Sequence, residues 1–161
     1  MAEKKVLVHG VWDVWHVGHL IHLRKAKEYG TRLIVSVTSD RWVCKGPGRP
    51  LFNEGQRMEM MAALKIVDNV ILSDHENAVA VINIVRCSIF AKGPDYLHGD
   101  KTGNLDKERA AVEAVGGRLV IITNDIVYSS TEIITGELLR RRIREAAPKL
   151  RGVGDGDYGV E

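Results

Sequence analysis

Two histidines lie at a position where a chain can bind an anion. Residues 10–19 read GVWDVWHVGH, which places Gly18 between His16 and His19. If a helix begins there, its unpaired backbone N–H groups and the positive end of its dipole attract negative charge. The glycine allows a ligand to approach the backbone closely. The segment therefore predicts a phosphate site in which both imidazoles stabilise charge that develops on a phosphate chain.

The histidines also permit two other interpretations, a metal site and a purely structural role. His16, His19 and His22 form an H-x-x-H-x-x-H series that is compatible with a metal site. On a helix these side chains spread over a wide arc, since successive residues advance by about 100°, and no cysteine or carboxylate follows at ligand spacing. A single histidine near a strand end, such as His9, is more often structural than functional. The phosphate interpretation is therefore favoured.

A loop rich in glycine and proline follows the second predicted strand. Residues 46–50 read GPGRP, a composition that prevents a regular helix or strand. Lys45 and Arg49 put two cations on this loop, and Arg57 falls in the first turn of the next predicted helix. Lysine acts as a mobile point charge and arginine as a bidentate partner for phosphate oxygens. A solvated surface loop has the same composition, but a loop beside the histidines is expected to close over a triphosphate.

Strand-like and helix-like segments alternate along the chain and position these residues. The predicted strands are 5–10, 32–38, 69–72, 88–91 and 118–123, and the predicted helices are 19–29, 54–65, 77–85, 105–115 and 131–146. This order predicts a single doubly wound α/β domain with a mostly parallel, five-stranded, Rossmann-like sheet. Ligands bind beyond the carboxyl ends of such strands, where the histidines and the cationic loop both lie. The domain is expected over residues 1–146, followed by a glycine-rich tail at 147–161.

Composition excludes several classes of protein. The 161 residues include 23 Lys+Arg and 21 Asp+Glu, and a net charge of +2 argues against nucleic-acid binding through bulk electrostatics. No apolar run reaches the roughly 18–20 residues of a membrane helix, and no signal peptide is evident. Cys44 and Cys87 form no disulfide framework and fit a reducing compartment. We therefore expect a cytoplasmic protein with neither a nucleic-acid nor a membrane partner.

Several motifs, taken together and in this order, resemble a known family. His16-Val17-Gly18-His19, directly after a strand, is similar to the H-x-G-H signature of the nucleotidyltransferase superfamily, which includes cytidylyltransferases and adenylyltransferases. Within it, the chain resembles the adenylyltransferase domain of bacterial heptose-phosphate enzymes of lipopolysaccharide synthesis. That resemblance is carried by KGPGRP at 45–50, Asn53, Arg57-Met58, AKGPDY at 91–96, Gly116-Gly117 and Ser129-Ser130-Thr131.

The resemblance implies nucleotidyl transfer, in which a sugar phosphate attacks the α-phosphate of a nucleoside triphosphate and pyrophosphate leaves. The implied catalytic residues are His16, His19 and Lys45. The implied nucleotide-binding residues are Gly10, Val11, Trp12, Gly18, Arg57, Lys92, Gly93, Ser129, Ser130 and Thr131. The implied residues for the acceptor substrate are Asp13, Lys45, Arg49, Asp95 and Tyr96. Mg²⁺ is the implied cofactor, held mainly by the phosphates, with no side chain assigned as its ligand.

The nucleotide and the acceptor remain open. ATP with a sugar phosphate such as heptose 1-phosphate is expected, because residues 123–128 (TNDIVY) lack the Arg-Thr pair that glycerol-phosphate cytidylyltransferases carry there. One alternative is a cytidylyltransferase that uses CTP with a polyol or alcohol phosphate such as glycerol 3-phosphate. Another is a non-catalytic, nucleotide-binding regulatory domain, against which the intact histidines and Lys45 argue. The resemblance also implies a homodimer and a separate sugar kinase that acts upstream.

Overall fold

Strands and helices alternate throughout the part of the chain that the computed structural model describes, which is residues 2–98, 100, 103–123, 129–137, 140 and 144. The strands are β1 (Lys5–Gly10), β2 (Arg32–Thr38), β3 (Asn69–Ser73), β4 (Ile89–Lys92) and β5 (Arg118–Ile121). The helices are α1 (Val17–Lys27), α2 (Glu54–Ala62), α3 (Val79–Val85), α4 (Leu105–Ala114) and α5 (Ser130–Ile134). Short 3₁₀ turns follow β2 and β4, at Asp40–Trp42 and Pro94–His98.

The five strands form one parallel sheet in the order β3-β2-β1-β4-β5. In the centre, Leu7 of β1 lies opposite Ile34 of β2 on one side and Phe90 of β4 on the other. The chain moves outward from β1 to β3 and then returns to the opposite side of β1. The strand order therefore reverses between β1 and β4, and a ligand crevice opens at the carboxyl ends of these strands. The predicted doubly wound α/β domain is confirmed.

Helices cover both faces of the sheet because successive side chains of a strand point to opposite faces. Val6 and Val8 pack on the face that carries α1 and α2, with Leu23 and Met61. Leu7 points to the other face, where α3 and α4 supply Val81, Ile82, Val85 and Val112. Each fully buried aliphatic side chain stabilises the fold by about 1.5–3 kcal/mol. Both layers thus support the sheet edge at which the crevice lies.

Local signals set several of the element boundaries. β1 and β2 begin and end at the predicted residues. α2 begins at the predicted Glu54 because Asn53 and Gln56 form a capping box, in which each side chain accepts the other residue's backbone N–H at 3.0 and 3.1 Å. Gly117 directly precedes β5, and a Cβ atom there would lie 2.3 Å from the Cys87 carbonyl oxygen. Only glycine fits so close to the neighbouring backbone.

The last predicted helix differs from the one in the structure. One helix was expected over residues 131–146, but α5 ends at Ile134, Gly136 adopts a φ of 69°, and the described residues Glu137, Arg140 and Arg144 are helical again after this interruption. This left-handed conformation is typical of residues that terminate a helix. The predicted tail at 147–161 and the segment at 124–128, on which the preference for ATP rests, lie outside the described residues.

The described residues bear on two of the exclusions made from composition, a membrane helix and a disulfide. No helix within them is long and apolar enough to cross a membrane. Both cysteines are free thiols, Cys44 on the surface and Cys87 in the interior. Burial raises the pKa of the Cys87 thiol to about 11, so this group stays protonated at neutral pH.

Candidate active site

A cleft of about 560 Å³ opens at the carboxyl edge of the sheet, and segments that follow all five strands line it. One side, the histidine wall, consists of His16, Gly18, His19 and His22 from the start of α1. The other side, the acidic wall, consists of Glu76, Asn77, Asn104 and Glu108 from the N-terminal ends of α3 and α4. The volume falls within the roughly 300–1,000 Å³ of typical ligand pockets.

The histidine wall has a fixed geometry. α1 begins at Val17, and His16 occupies its N-cap position with an extended backbone and without a side-chain hydrogen bond that caps the helix. The His16 and His19 rings stack with centroids 3.8 Å apart. Trp15 stacks on His19 at 5.4 Å, and Trp12 meets it edge-on at 5.3 Å. The neighbouring rings therefore hold the His19 imidazole in one orientation beside the exposed start of a helix.

The site histidines are neutral at physiological pH. Burial, and then the charges of His16 and Lys45, lower the pKa of His19 from 6.5 to about 3. Burial lowers the pKa of His22 to about 4, an effect that nearby Asp95 opposes. Burial and Lys45 also lower the pKa of His16. Neutral imidazoles can still donate an N–H to an incoming phosphate oxygen, and a bound anion would raise their pKa values.

The turn from β1 to the histidine wall is unusual in its backbone. Trp12 adopts a φ of 55°, a left-handed conformation that costs a residue with a side chain about 1–2 kcal/mol. Its indole is 6% exposed and donates from Nε1 to the Ser36 carbonyl oxygen at 3.0 Å. Trp12 was predicted to bind the nucleotide; its ring packs in the core, and the residue also lines the cleft together with Gly10 and Val11.

Lys45 lines the cleft beside the histidine wall, together with Trp42 and Cys44 of the loop after β2. Desolvation and then the charge of Arg49 lower the pKa of its ammonium, while Asp13 and Asp95 oppose this. The exposed Cys44 precedes it in the lining. A cation here can approach a phosphate bound at the His16–His19 pair.

Arg49 and Asp13 form an ion pair that is buried from solvent. The Asp13 carboxylate is 1% exposed and accepts hydrogen bonds from Arg49 Nε at 2.6 Å and from the backbone N–H groups of Leu51 and Phe52 at 2.8 and 3.1 Å. Burial alone would raise the pKa of Asp13, but these hydrogen bonds and the Arg49 charge bring it below 3.8. Both residues were predicted to bind the acceptor. In the structure the pair fastens the β2 loop to the end of β1, Asp13 also lines the cleft, and the acceptor contact stays a prediction.

The structure does not bring Arg57 to the cleft. Its side chain is fully buried, and the guanidinium donates to the carbonyl oxygens of Phe52, Val11 and Thr38 and to Asp40 Oδ1, at 2.5–2.9 Å. These partners join α2 to the ends of β1 and β2. In this structure Arg57 braces these elements behind the cleft, and its predicted contact with the triphosphate stays a prediction.

The start of α5 contributes two of its three predicted residues. Ser129 and Ser130 line the cleft, whereas Thr131 is exposed and lies outside the lining. The Ser129 hydroxyl caps α5 by accepting the Glu132 N–H at 3.0 Å, as expected for a hydroxyl residue before a helix. The Ser130 hydroxyl donates to the Val14 carbonyl oxygen at 3.0 Å and so ties α5 to the histidine segment.

The segment after β4 lines the cleft with Lys92, Gly93, Asp95 and Tyr96, all of which were predicted site residues. Lys92 is not a free cation. Its Nζ lies 2.7 Å from Glu108 Oε2 and 4.2 Å from the centre of the Tyr96 ring. Its charge is thus already paired before any phosphate arrives.

Sequence reasoning missed the whole acidic wall. Glu76 and Asn104 fall between predicted elements, and Asn77 and Glu108 fall inside predicted helices, so no motif marks them. Asn77 Nδ2 donates to Asn104 Oδ1 at 3.4 Å, which links the loop after β3 to the start of α4. His9 and His22 also line the cleft and were not predicted to do so. Their positions near the end of β1 and one turn after His19 on α1 are the sequence signals that could have identified them. His9 on β1 lies 2.9 Å from Ser36 Oγ, and burial lowers its pKa to about 3.

Comparison with known proteins agrees with this geometry. The family model "Cytidylyltransferase-like" matches residues 7–136. The bifunctional protein HldE of Methylobacillus flagellatus is 37% identical over 123 residues, which cover 75% of this chain and 24% of that protein. The HldE of Vibrio cholerae serotype O1 is 37% identical over 135 residues, 83% of this chain and 27% of that protein. The chain thus spans about a quarter of the length of these relatives.

Solved structures share the fold. A lipopolysaccharide core biosynthesis protein from Thermoplasma volcanium superposes with a TM-score of 0.62 at 24% identity, covering 79% of this chain and 100% of that one. Pantothenate synthetase from Thermus thermophilus gives a TM-score of 0.59 at 13% identity, covering 92% and 71%. At these identities the likeness concerns the fold alone, whereas the family match and the HldE relatives extend over most of the sequence. The chain belongs to the cytidylyltransferase-like family and is a nucleotidyltransferase.

Proposed function

We propose that this protein transfers an adenylyl group from ATP to a sugar phosphate such as heptose 1-phosphate and releases pyrophosphate. The observation that carries the proposal is the stacked His16–His19 pair at the start of α1, beside the point where the strand order reverses. The similarity to HldE proteins over 75–83% of the chain supports the sugar-phosphate branch. The absence of the cytidylyltransferase Arg-Thr pair in residues 123–128 supports ATP.

The reaction forms a bond between an acceptor phosphate oxygen and the α-phosphorus while the bond to the bridging oxygen of the β-phosphate breaks. Such transfers depend mainly on positioning and on charge stabilisation. His16 and His19 donate N–H groups to the oxygens around the α- and β-phosphates as negative charge increases there. Lys45, at the mouth of the cleft, neutralises the α-phosphate and orients the acceptor phosphate. Ser129 and Ser130 lie on the same side and receive the pyrophosphate end.

Magnesium fits this site only as a companion of the triphosphate. Within the described ranges, no group of three His, Cys, Asp or Glu side chains could hold a metal ion, and the Asp13 carboxylate is engaged by three donors. Asp95 and Glu76 are the carboxylates in the lining that could add a single ligand. Mg²⁺ would supply further charge neutralisation on the phosphates.

The remaining parts of the proposal concern the cellular setting. We place the reaction in the cytoplasm, which suits two free thiols. We also propose a homodimer and a separate kinase that supplies the phosphorylated sugar. A CTP-dependent enzyme that acts on a polyol phosphate is the second candidate, which the cytidylyltransferase-like family match favours.

A pyrophosphate-release screen tests the proposal. ATP, CTP, GTP and UTP are each combined with sugar 1-phosphates and with polyol phosphates, and release is measured in the presence of Mg²⁺. ATP with a sugar 1-phosphate should give the highest kcat/KM. Highest activity with CTP and a polyol phosphate would select the second candidate, and no release from any pair would favour a regulatory nucleotide-binding domain.

Two substitutions test the assigned chemistry. His19→Ala and Lys45→Ala should each lower kcat by about 10²–10³-fold, as expected when one donor to a developing charge is removed. His75→Ala and Lys65→Ala are matched controls, because both residues are exposed and neither lines the cleft. Near-normal kcat in either site variant, with a folded circular-dichroism spectrum, would refute the mechanism.

A further inference from the structure

Glu108 is a carboxylate that the mechanism above does not use, although it lies in the cleft lining. It belongs to α4, is 1% exposed, and divides its two oxygens between two different loops. Oε1 accepts the backbone N–H of Ala78, which begins α3 after the loop that carries Glu76 and Asn77. Oε2 pairs with Lys92 Nζ at 2.7 Å, at the end of β4.

Lys92 extends this connection to the substrate side of the cleft. Its side chain is 5% exposed, and its ammonium lies over the Tyr96 ring at 4.2 Å and near the Phe90 ring at 5.4 Å. A cation over an aromatic face is attracted to it, more strongly where water is excluded. Lys92 therefore fixes Tyr96, and Glu108 fixes Lys92.

We propose that Glu108 is a positioning residue of the nucleotidyl transfer: it holds the loops after β3 and β4 in one arrangement, as a single wall opposite the histidines. The inference rests on the proposed function, which supplies the substrates that this wall contacts. The wall contacts parts of the substrates that do not react, because the reacting phosphates lie against His16 and His19. Its loss should therefore weaken binding more than turnover.

The pair also determines which groups this wall offers to a ligand. With the ammonium neutralised by Glu108, the wall offers the carboxylate of Glu76, the amide of Asn77 and the phenol of Tyr96. These groups bind hydroxyls, which both donate and accept hydrogen bonds, better than they bind a second phosphate. A hydroxyl-bearing part of a substrate is thus the ligand chemistry that this wall fits.

The activity test uses Glu108→Gln, Lys92→Met and the double variant in the pyrophosphate-release assay. Glu108→Gln keeps an acceptor for the Ala78 N–H but removes the charge that holds Lys92. We expect the KM of at least one substrate to rise about tenfold while kcat changes less than about threefold. Glu113→Gln, an exposed carboxylate on the same helix, is the matched control and should change neither constant.

The double variant separates positioning from stability. Replacing both members of a buried ion pair with neutral side chains of similar size costs little stability, whereas removing one member costs much. The double variant should therefore regain most of the melting temperature lost in the single variants, yet keep the raised KM. Recovery of both, or unchanged KM values in Glu108→Gln, would overturn the proposal.

A measurement without substrates keeps this test separate from the proposed function. Amide hydrogen exchange in Lys92→Met should become faster in the segment around Ala78, which Glu108 connects to Lys92 in the described part of the chain. Faster exchange around residues 93–96 alone would overturn the coupling. If the wild-type protein releases no pyrophosphate from any pair, the proposed function fails, and the exchange result still decides whether Glu108 joins the two loops.

Discussion

Acidification should destabilise this fold well before its carboxylates titrate, because it buries neutral histidines. The pKa values of His9 and His19 are about 3 and that of His22 is about 4, against 6.5 for an ordinary histidine. As pH falls below 6.5, the unfolded chain binds protons that the folded chain does not. The associated stability is therefore complete above pH 6.5 and is lost progressively down to the folded pKa values.

The expected loss is large compared with ordinary protein stability. A pH of 5 lies about 1.5 units below the unfolded pKa of all three histidines, which corresponds to about 2 kcal/mol per histidine. Together they remove about 6 kcal/mol, compared with a total stability of about 5–15 kcal/mol for a typical domain. Three aspartates also have lowered pKa values: Asp13, Asp68 and Asp74. Their protonation changes stability only near and below pH 4, so it does not affect the range between pH 7.5 and 5.

Urea unfolding followed by circular dichroism at pH 7.5, 6.5, 5.5 and 5 measures the effect. The unfolding free energy should fall by about 1 kcal/mol between the first two values and more steeply after that. His22→Gln should remove about one third of the slope, whereas His75→Gln, which changes an exposed residue, should preserve it. A total decrease below about 1 kcal/mol between pH 7.5 and 5 would refute the account of the buried histidines.

Two further predictions concern the frame of the site. Asp13→Asn leaves the 6% exposed Arg49 side chain without its counter-charge. We expect the unfolding free energy to fall by about 3–5 kcal/mol, which calorimetry would record as a decrease of roughly 10 °C in Tm. An unchanged Tm would show that the Arg49 guanidinium reaches solvent instead. Gly117→Ala places a Cβ atom 2.3 Å from the Cys87 carbonyl oxygen and should cost about 1–3 kcal/mol or more. Gly93→Ala meets nothing within 4 Å and should leave Tm unchanged while it weakens nucleotide binding at the cleft; equal Tm values for the two variants would contradict the packing at Gly117.

The central elements were predictable because their signals are local. β1 and β2 are continuous apolar runs, and their bounds agree with the structure to the residue. The five-stranded parallel sheet follows from the alternation of strands and helices, and its reversal point explains why the H-x-G-H residues lie where they do. The interruption of the last helix was not predicted, because an apolar periodicity continues past Thr135 while the backbone at Gly136 turns left-handed.

The partners of charged side chains were not predictable, because they come from distant parts of the chain. Arg57 has the type and the position of a phosphate ligand, yet its partners at Val11 and Thr38 occupy its guanidinium entirely inside the fold. Lys92 reads as a free cation until Glu108 pairs with it. Sequence reasoning identified which residues approach the cleft better than it identified which of them are available to a ligand.

The uncapped start of α1 bears on how this protein could be stabilised by design. His16 occupies a position where Ser, Thr, Asp or Asn would contribute about 0.5–2 kcal/mol by capping the helix. A consensus of helix preferences would therefore select against the imidazole that the proposed mechanism uses. Stability screens that ignore catalysis should recover substitutions at this position, and selection for activity should remove them.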